Sequence, residues 1–264
     1  MKNTILLTKL LKPFNLGNLI RLGGNKDGGY LLSNKSLSKC NFLISIGISY
    51  NWDFEKDFLK NKNTENLSII AYDNSISYKI IKKFSLKNLI IFFIRPSFKT
   101  IQRISKFFSY IKTFNRKNAI HYPLNLAKFN SKKTINLDRI FDNIKNKSII
   151  LKIDIEGGEY LLINDILKHL SKINVLIIEF HFMQKNKVRF LKFIKNLSKK
   201  FYVSHVHINN ATFQWSDKAE IIECTFERKT HFKSKVNFSK SSYPLKNLDF
   251  PSSKNIADPK IIFK

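Results

Sequence analysis

The stretch SIILKIDIEGGEY, Ser148 to Tyr160, decides how this chain is read. Its apolar run ends on two carboxylates, Asp154 and Glu156, and a Gly157-Gly158 turn follows before a helical period begins. A short apolar run bounded by turn residues predicts a strand buried on both faces of a parallel sheet. In open α/β sheets ligands sit beyond the carboxyl ends of the strands, where this stretch places its acids. Outward from it the same punctuation recurs. Gly23, Gly24, Gly28, Gly29 and Gly47 fall with Gly157 and Gly158 into three turn clusters, leaving only one of the 8 glycines elsewhere. A chain so poor in glycine keeps it where a left-handed turn or a close approach demands it.

Strand and helix signals alternate on either side. NFLISIGIS (Asn41 to Ser49) reads as a buried strand leading into Gly47, WDFEKDFLKN as a helix with acids in its first turn, and LSIIAYD (Leu67 to Asp73) as a second strand ending on an acid. NAIHYPLN predicts a third strand, TINLDRIFDNI a helix, EYLLINDILKHL an amphipathic helix, and NVLIIEFHF (Asn174 to Phe182) a further buried strand. A basic helix is expected over about Lys187 to Lys200. FYVSHVHINN and AEIIECTFER read as strands paired antiparallel at the sheet's end, and the segment with Pro244, Pro251 and Pro259 as an extended tail from about 240 to 264. With no internal repeat and no linker, the alternation predicts one doubly wound α/β domain over all 264 residues.

Lys+Arg 47 against Asp+Glu 19 gives a net charge of +28, a field that attracts nucleic acid, anionic lipid or phosphorylated substrates. An Ile, Asn and Lys excess across the whole sequence weakens any reading from charge alone. Cys40 and Cys224 offer neither a disulfide framework nor a metal-spaced cluster, which favours a reducing compartment. The start, broken by Lys9 and Lys12 and without a small-residue cleavage site, makes a poor signal peptide, and LIIFFI (Leu89 to Ile94) is too short to span a bilayer. The expectation is a soluble cytoplasmic protein with room for peripheral contact at the inner membrane face.

Ser45 and Gly47 at one strand end and Asp73 at the next suggest a nucleoside-cofactor site, since a glycine admits the cofactor and the acid accepts from ribose hydroxyls. No GxGxxG follows to hold a pyrophosphate, so S-adenosylmethionine fits better than NAD. Asp154 and Glu156, two residues apart in extended chain, share a side of the sheet edge; they suit a substrate hydroxyl, a metal or a cofactor ammonium, or Glu156 caps the next helix. Glu179 and His181 repeat the arrangement as orienter and general base. His205, His207, Asn209 and Asn210 make a polar cluster read as contacts to a hydroxyl-rich substrate, with an edge-strand turn as the plain alternative. No metal is predicted, two histidines without a third ligand being too few. RLGGNKDGGYLL has the glycines of a phosphate-cradling loop but not the Gly-Lys-Ser/Thr ending of a P-loop.

Taken in order, RLGGNKDGGY, SIGIS, WDFEKDF, AYD, LKIDIEGGEY, IIEFHF and HVHINN resemble the FkbM-type methyltransferase family from about Arg21 to Phe226. The resemblance implies a class I, Rossmann-like, mostly parallel sheet with helices on both faces and an antiparallel C-terminal strand pair. It also implies S-adenosylmethionine-dependent O-methylation, often of sugars in surface glycans or secondary metabolites. By position, Asp27, Gly28, Ser45, Gly47, Asp73 and Asp154 are expected at the cofactor, Asp154, Glu179 and His181 at the chemistry, and Glu156, His205, His207, Asn209 and Asn210 at the acceptor. An RNA methyltransferase or a non-enzymatic module for anionic surfaces is the alternative; acids at the strand ends speak against phosphate.

The departure from the family pattern is Ser75 to Leu137, which contains no Asp or Glu. It reads as a basic, aromatic-rich helical insertion or cap at about 75–117. Ile101, Ile104, Phe108 and Ile111 mark one face of an expected helix, with Arg103, Lys106 and Lys112 off it. Such a segment would dock on an anionic membrane, or its phenylalanines are core and its lysines a solvated face.

Overall fold

Apolar runs of four to eight residues become seven strands: β1 Phe42–Ile46, β2 Ser68–Tyr72, β3 Ala119–Tyr122, β4 Ile149–Ile153, β5 Ile173–Phe180, β6 Phe201–Ile208 and β7 Ile222–Arg228. They form one sheet in the order β3-β2-β1-β4-β5-β7-β6, parallel except for β7, which pairs antiparallel with both β5 and β6. The computed structural model describes residues 4–61, 66–95, 97–144, 148–233 and 235–264. The first three residues of the stretch read as a poor signal peptide lie outside them.

The central strands are apolar throughout because both faces are covered. Ile44, Leu151, Leu176 and Ile178 join one core, and their chain neighbours Leu43, Ile150, Val175 and Ile177 join the other. Alternate side chains of a strand point to opposite faces, so each run feeds two cores at once. Emptying one such site, as in Leu151→Ala, is expected to cost about 2–5 kcal/mol.

Six longer helices cover the sheet: α1 Asp53–Leu59, α2 Tyr78–Ile94, α3 Phe98–Phe114, α4 Leu137–Asp142, α5 Ile163–Lys168 and α6 Lys187–Leu197. Phe54 and Phe58 of α1 and Tyr110 and Phe114 of α3 enter one core; Phe141, Ile166, Phe190 and Phe193 enter the other. The expected single helix over EYLLINDILKHL is broken into α5 between two short 3-10 turns, Glu159–Leu161 and Leu170–Lys172.

The apolar face expected on α3 is not the one that is packed. Ile101 and Phe108 are exposed, while Thr100, Tyr110, Thr113 and Phe114 are buried. The buried face is selected by what lies beside it: Tyr110 and Phe114 meet Trp52 edge-on, and Trp52 Nε1 donates to Ser109 Oγ at 3.0 Å.

Three two-stranded sheets flank the large one, the smallest pairing Asn125–Leu126 with Thr134–Ile135 in parallel. Leu19–Leu22 and Tyr30–Ser33 form an antiparallel hairpin around the glycine-rich loop. Lys260–Phe263 runs parallel to Thr4–Leu7, so the tail ends as a strand rather than as a loose surface segment.

Candidate active site

The sheet carries three strand ends to one level. Beyond the strands the ladder continues: Gly47 N donates to Tyr72 O at 2.9 Å, Asp154 N to Ile46 O at 2.9 Å, and Asp73 N to Tyr122 O at 3.2 Å. At this edge the chain leaves β1 toward β2 on one side and toward β4 on the other, the switch point where open α/β sheets bind ligands. A cavity of about 540 Å³ opens there, lined among others by Asp27, Gly47, Ser49, Asp73, Asp154 and Glu156. That volume suits a small molecule or cofactor.

Gly47 belongs to this edge for a different reason than expected. At φ +78° an added Cβ would lie 1.6 Å from the backbone oxygen of Asp154, so the glycine admits the neighbouring strand end, not only a ligand. Gly28, at φ +78°, also lines the cavity, and a Cβ there would strike the Asn51 amide.

Asp73 holds the loop after β1. Its Oδ2 accepts from Ile48 N at 2.9 Å and Ser49 N at 2.6 Å, and its Oδ1 from the N and Oγ of Ser75. Burial works to raise its pKa, but these bonds favour the carboxylate and leave it lowered. Asp73 therefore shapes the cavity wall as well as facing it.

Ser45 does not reach the cavity. It is fully buried and its Oγ donates to Glu55 on α1, a correction to its expected cofactor contact. Glu55, which the sequence assigned to the helix dipole, is fully buried and lies 3.7 Å from Lys152 Nζ. Lys152 in turn donates to Gly47 O at 2.9 Å, which makes a buried lysine tolerable inside β4.

The acids at the edge are linked by a residue the sequence did not single out. Tyr30 Oη lies 3.3 Å from both Asp154 Oδ2 and Glu179 Oε2. Its single hydroxyl proton is shared between the two carboxyls. Burial first, then the charges of Asp154 and Glu223, pushes Glu179 well above the usual carboxylate range. The Tyr30 hydroxyl is the donor toward both carboxyls. Asp154 is raised by burial to about 6, with Lys152 and His181 opposing, and is the ionised acid of the pair near neutral pH. The hairpin that supplies Tyr30 is fixed to β7 because Ser33 N and Oγ both donate to buried Glu227.

His181 sits behind this edge, 4% exposed and off the cavity wall. Its Nδ1 pairs with fully buried Glu159 at 2.9 Å, while Nε2 lies 3.4 Å from Glu156 Oε2 and 3.9 Å from Asp154 Oδ1. Burial lowers the imidazole, but three carboxylates outweigh it and its pKa ends above the ordinary value. Its nitrogens face Glu159 on one side and Glu156 and Asp154 on the other, so His181 stands beside Asp154 and off the wall where the expected base would have to reach an acceptor. Glu156, in left-handed backbone at φ +54°, is largely exposed at the cavity mouth.

Asp154, Glu156 and His181 each bring a donor atom within 4.8 Å of one another, as do Asp27, Glu179 and Glu223. Asn209 joins the second group, its Nδ2 donating to Glu179 at 2.9 Å and to Asp27 at 3.3 Å.

The remaining expected substrate residues serve the C-terminal tail instead. His205 Nε2 pairs with Asp249 at 3.0 Å, and His207 bridges Glu223 and Asp258, each at 3.1 Å. The Asn210 amide donates to Ser253 O and Ile256 O and accepts from Ser253 N. Both ring nitrogens of His207, the Asn210 amide and Nε2 of His205 are thus engaged within the chain.

Residues 99–217 match the model of the methyltransferase FkbM domain. No curated protein matches the chain by sequence. Similar solved structures include the 23S rRNA methyltransferase ErmE, with 8% identity, 76% of this chain, 70% of the other and a TM-score of 0.39. A dimethyladenosine transferase from Plasmodium falciparum gives 11%, 76%, 63% and 0.38. The precorrin-6y C5,15-methyltransferase from Geobacter metallireducens gives 10%, 74%, 86% and 0.35. Scores this low say nothing of what the chain acts on.

S-adenosylmethionine fits the residues of the cavity. Asp27, Asp73, Asp154 and Glu156 make its wall acidic in a chain of charge +28, and the one lysine on it, Lys152, is committed to Gly47 and Glu55. A cationic ligand with hydroxyl and ammonium donors is what such a wall favours.

Proposed function

We propose, for a chain that carries a methyltransferase FkbM domain and uses S-adenosylmethionine, that the acceptor is a carbohydrate hydroxyl and that Asp154 takes its proton. When bound, S-adenosylmethionine supplies a methyl group on a cationic sulfur, already electrophilic without further activation. Asp27, the loop held by Asp73, and Asp154 would hold it. What remains for the protein is to align the hydroxyl and remove its proton, and a positioned base typically contributes 10²–10⁴-fold.

The observation that carries this reading is Asp154 at the cavity wall, raised to about 6 by burial and 3.3 Å from the Tyr30 hydroxyl that also faces Glu179. A base poised near the working pH is more effective than an ordinary aspartate. His181 beside Asp154 works against the rise and keeps the carboxyl from going further. The acidic wall supports a hydroxyl-rich acceptor, whose O–H groups donate to carboxylates, over a phosphodiester, which the same carboxylates repel. The test is methyl transfer from radiolabelled S-adenosylmethionine to nucleotide-linked sugars and purified surface glycan, set against RNA oligonucleotides, with mass spectrometry of the product. One methyl increment on sugar supports the proposal; label in RNA alone refutes it.

A further inference from the structure

The insertion between β2 and β3 is packed inside out over its tip half. α2 and α3 form a hairpin that buries Ile81, Tyr110 and Phe114 at its base but Ser85, Asn88 and Thr100 toward its tip, while Leu86, Ile90, Phe93, Ile94, Phe98 and Phe108 are each more than half exposed. Asn88 sits between the helices, donating to Phe84 O at 2.7 Å and accepting from Arg103 Nη1 at 3.4 Å. Water-facing helices bury apolar residues and expose polar ones. Small and polar residues between helices, with apolar ones outside, is the arrangement of helices surrounded by lipid. Phe93 and Ile94 end α2 and Phe98 begins α3, so the apolar surface reaches the tip; these three are 78%, 73% and 73% exposed.

We infer that this hairpin inserts its tip into the interface of an anionic bilayer. Residues 75–117 carry eleven Lys and Arg and no acid, a charge complementary to anionic headgroups. A second copy of this chain is a poor occupant, because pairing two hairpins would set like charges together with no carboxylate between them. Nucleic acid would use the lysines but leave Leu86, Ile90 and Ile94 without a role. Among the described residues no helix is long and apolar enough to cross a membrane, so the hairpin lies in one leaflet, apolar face down and basic residues at headgroup level.

Its base is tied to the cavity rim. Lys106 Nζ donates to Tyr50 O at 2.7 Å, and His121, bonded to Tyr110 at 2.7 Å, reaches Asp73 O at 3.0 Å. A docked hairpin therefore holds the cavity at the lipid surface, where an acceptor carried on a lipid would be presented. Docking is independent of what the cavity methylates.

The experiment is flotation of the full chain with phosphatidylcholine vesicles, with and without about 30% phosphatidylglycerol, from 50 to about 300 mM salt. Wild type is expected to float with the anionic vesicles at low salt and to fall at least fivefold in bound fraction as salt rises. The triple variant Phe93→Ser, Ile94→Ser, Phe98→Ser is expected to bind at least tenfold less, with unchanged melting temperature and unchanged affinity for S-adenosylhomocysteine. Indifference of wild type to lipid charge at 50 mM overturns the inference, as does a triple variant that binds like wild type. A wild-type dimer on gel filtration that the triple variant converts to monomer also overturns it, in favour of self-association. RNA binding by wild type that the triple variant loses would assign the tip to nucleic acid and overturn it too.

Discussion

Asp154→Asn should disable the enzyme and stabilise the fold, and the two effects have one cause. The carboxylate is raised from 3.8 to about 6, chiefly by burial. That rise corresponds to about 3 kcal/mol of penalty on the ionised form. The side chain keeps 26% exposure, so solvent trims the figure to about 1.5–3 kcal/mol. The sign follows from the direction: below about pH 4 the group is protonated folded or unfolded and contributes nothing. Between about 4 and 6 the folded state binds the extra proton and loses stability as pH rises, and above about 6 the penalty is complete. Asparagine keeps the shape and still accepts from Tyr30 but carries no charge.

Calorimetric melting at pH 8 should therefore show Asp154→Asn higher by about 3–10 °C, a gain that shrinks toward pH 4. Methyl transfer should fall about 10²–10⁴-fold, and wild-type kcat/KM should decline below about pH 6 as Asp154 protonates. Glu156→Gln is the control, because its exposed carboxylate carries no such burial. A variant no more stable than wild type at pH 8, with turnover within threefold, would show that Asp154 is neither strained nor the base.

Asp73→Ala should release Ile48, Ser49 and Ser75 together, lowering stability by about 1.5–3 kcal/mol and weakening S-adenosylhomocysteine binding in calorimetric titration. Because its pKa is lowered, that contribution is present at neutral pH and lost as pH falls through the depressed value, visible as an acid-side drop in melting temperature. Gly47→Ala is expected to destabilise the ligand-free protein, since its Cβ meets the Asp154 backbone oxygen; equal melting temperatures without ligand would contradict the close approach. His207 is desolvated, but Glu223 and Asp258 raise it to about 10, so its pairing is complete below the ordinary 6.5 and lost from there to about 10. Limited proteolysis of the tail should accelerate over that alkaline range in wild type, and at all pH values in His207→Gln.

The sheet was legible in the sequence because each strand is a short apolar run closed by a turn residue or an acid, and burial on both faces leaves no other reading. SIILKID and LSIIAYD became β4 and β2 with Asp154 and Asp73 at their ends. Tyr30 was not legible, because it meets Asp154 across 124 residues and looks locally like the exit of a glycine turn. Its only signal was its place directly after Gly28-Gly29 in a motif already suspected of serving the site. His205 and His207 misled for the complementary reason: their partners Asp249 and Asp258 lie 44 and 51 residues on, in a proline-rich segment read as mere surface. The covered face of α3 was not legible because periodicity shows which side of a helix is apolar, not which side is covered.

Charge was the least informative signal in the sequence and is more telling once placed. Of the 19 acids, Glu55, Asp73, Glu159, Glu179, Glu223 and Glu227 are buried, whereas Lys152 is the one buried Lys or Arg among the described residues. The acids are thus gathered inward, around the cavity and behind it, and the outer surface is more cationic than a uniform spread of +28 would make it. Two fields of opposite sign result, an acidic pocket that favours a cationic cofactor and a basic exterior strongest on the hairpin beside it. Salt should separate them. Raising ionic strength screens the exposed lysines over about 8–10 Å but acts much less on buried carboxylates. Attachment to anionic surfaces should therefore weaken between 50 and about 300 mM salt while S-adenosylhomocysteine affinity changes little, and parallel loss of both would mean that the pocket and the exterior are not electrically distinct.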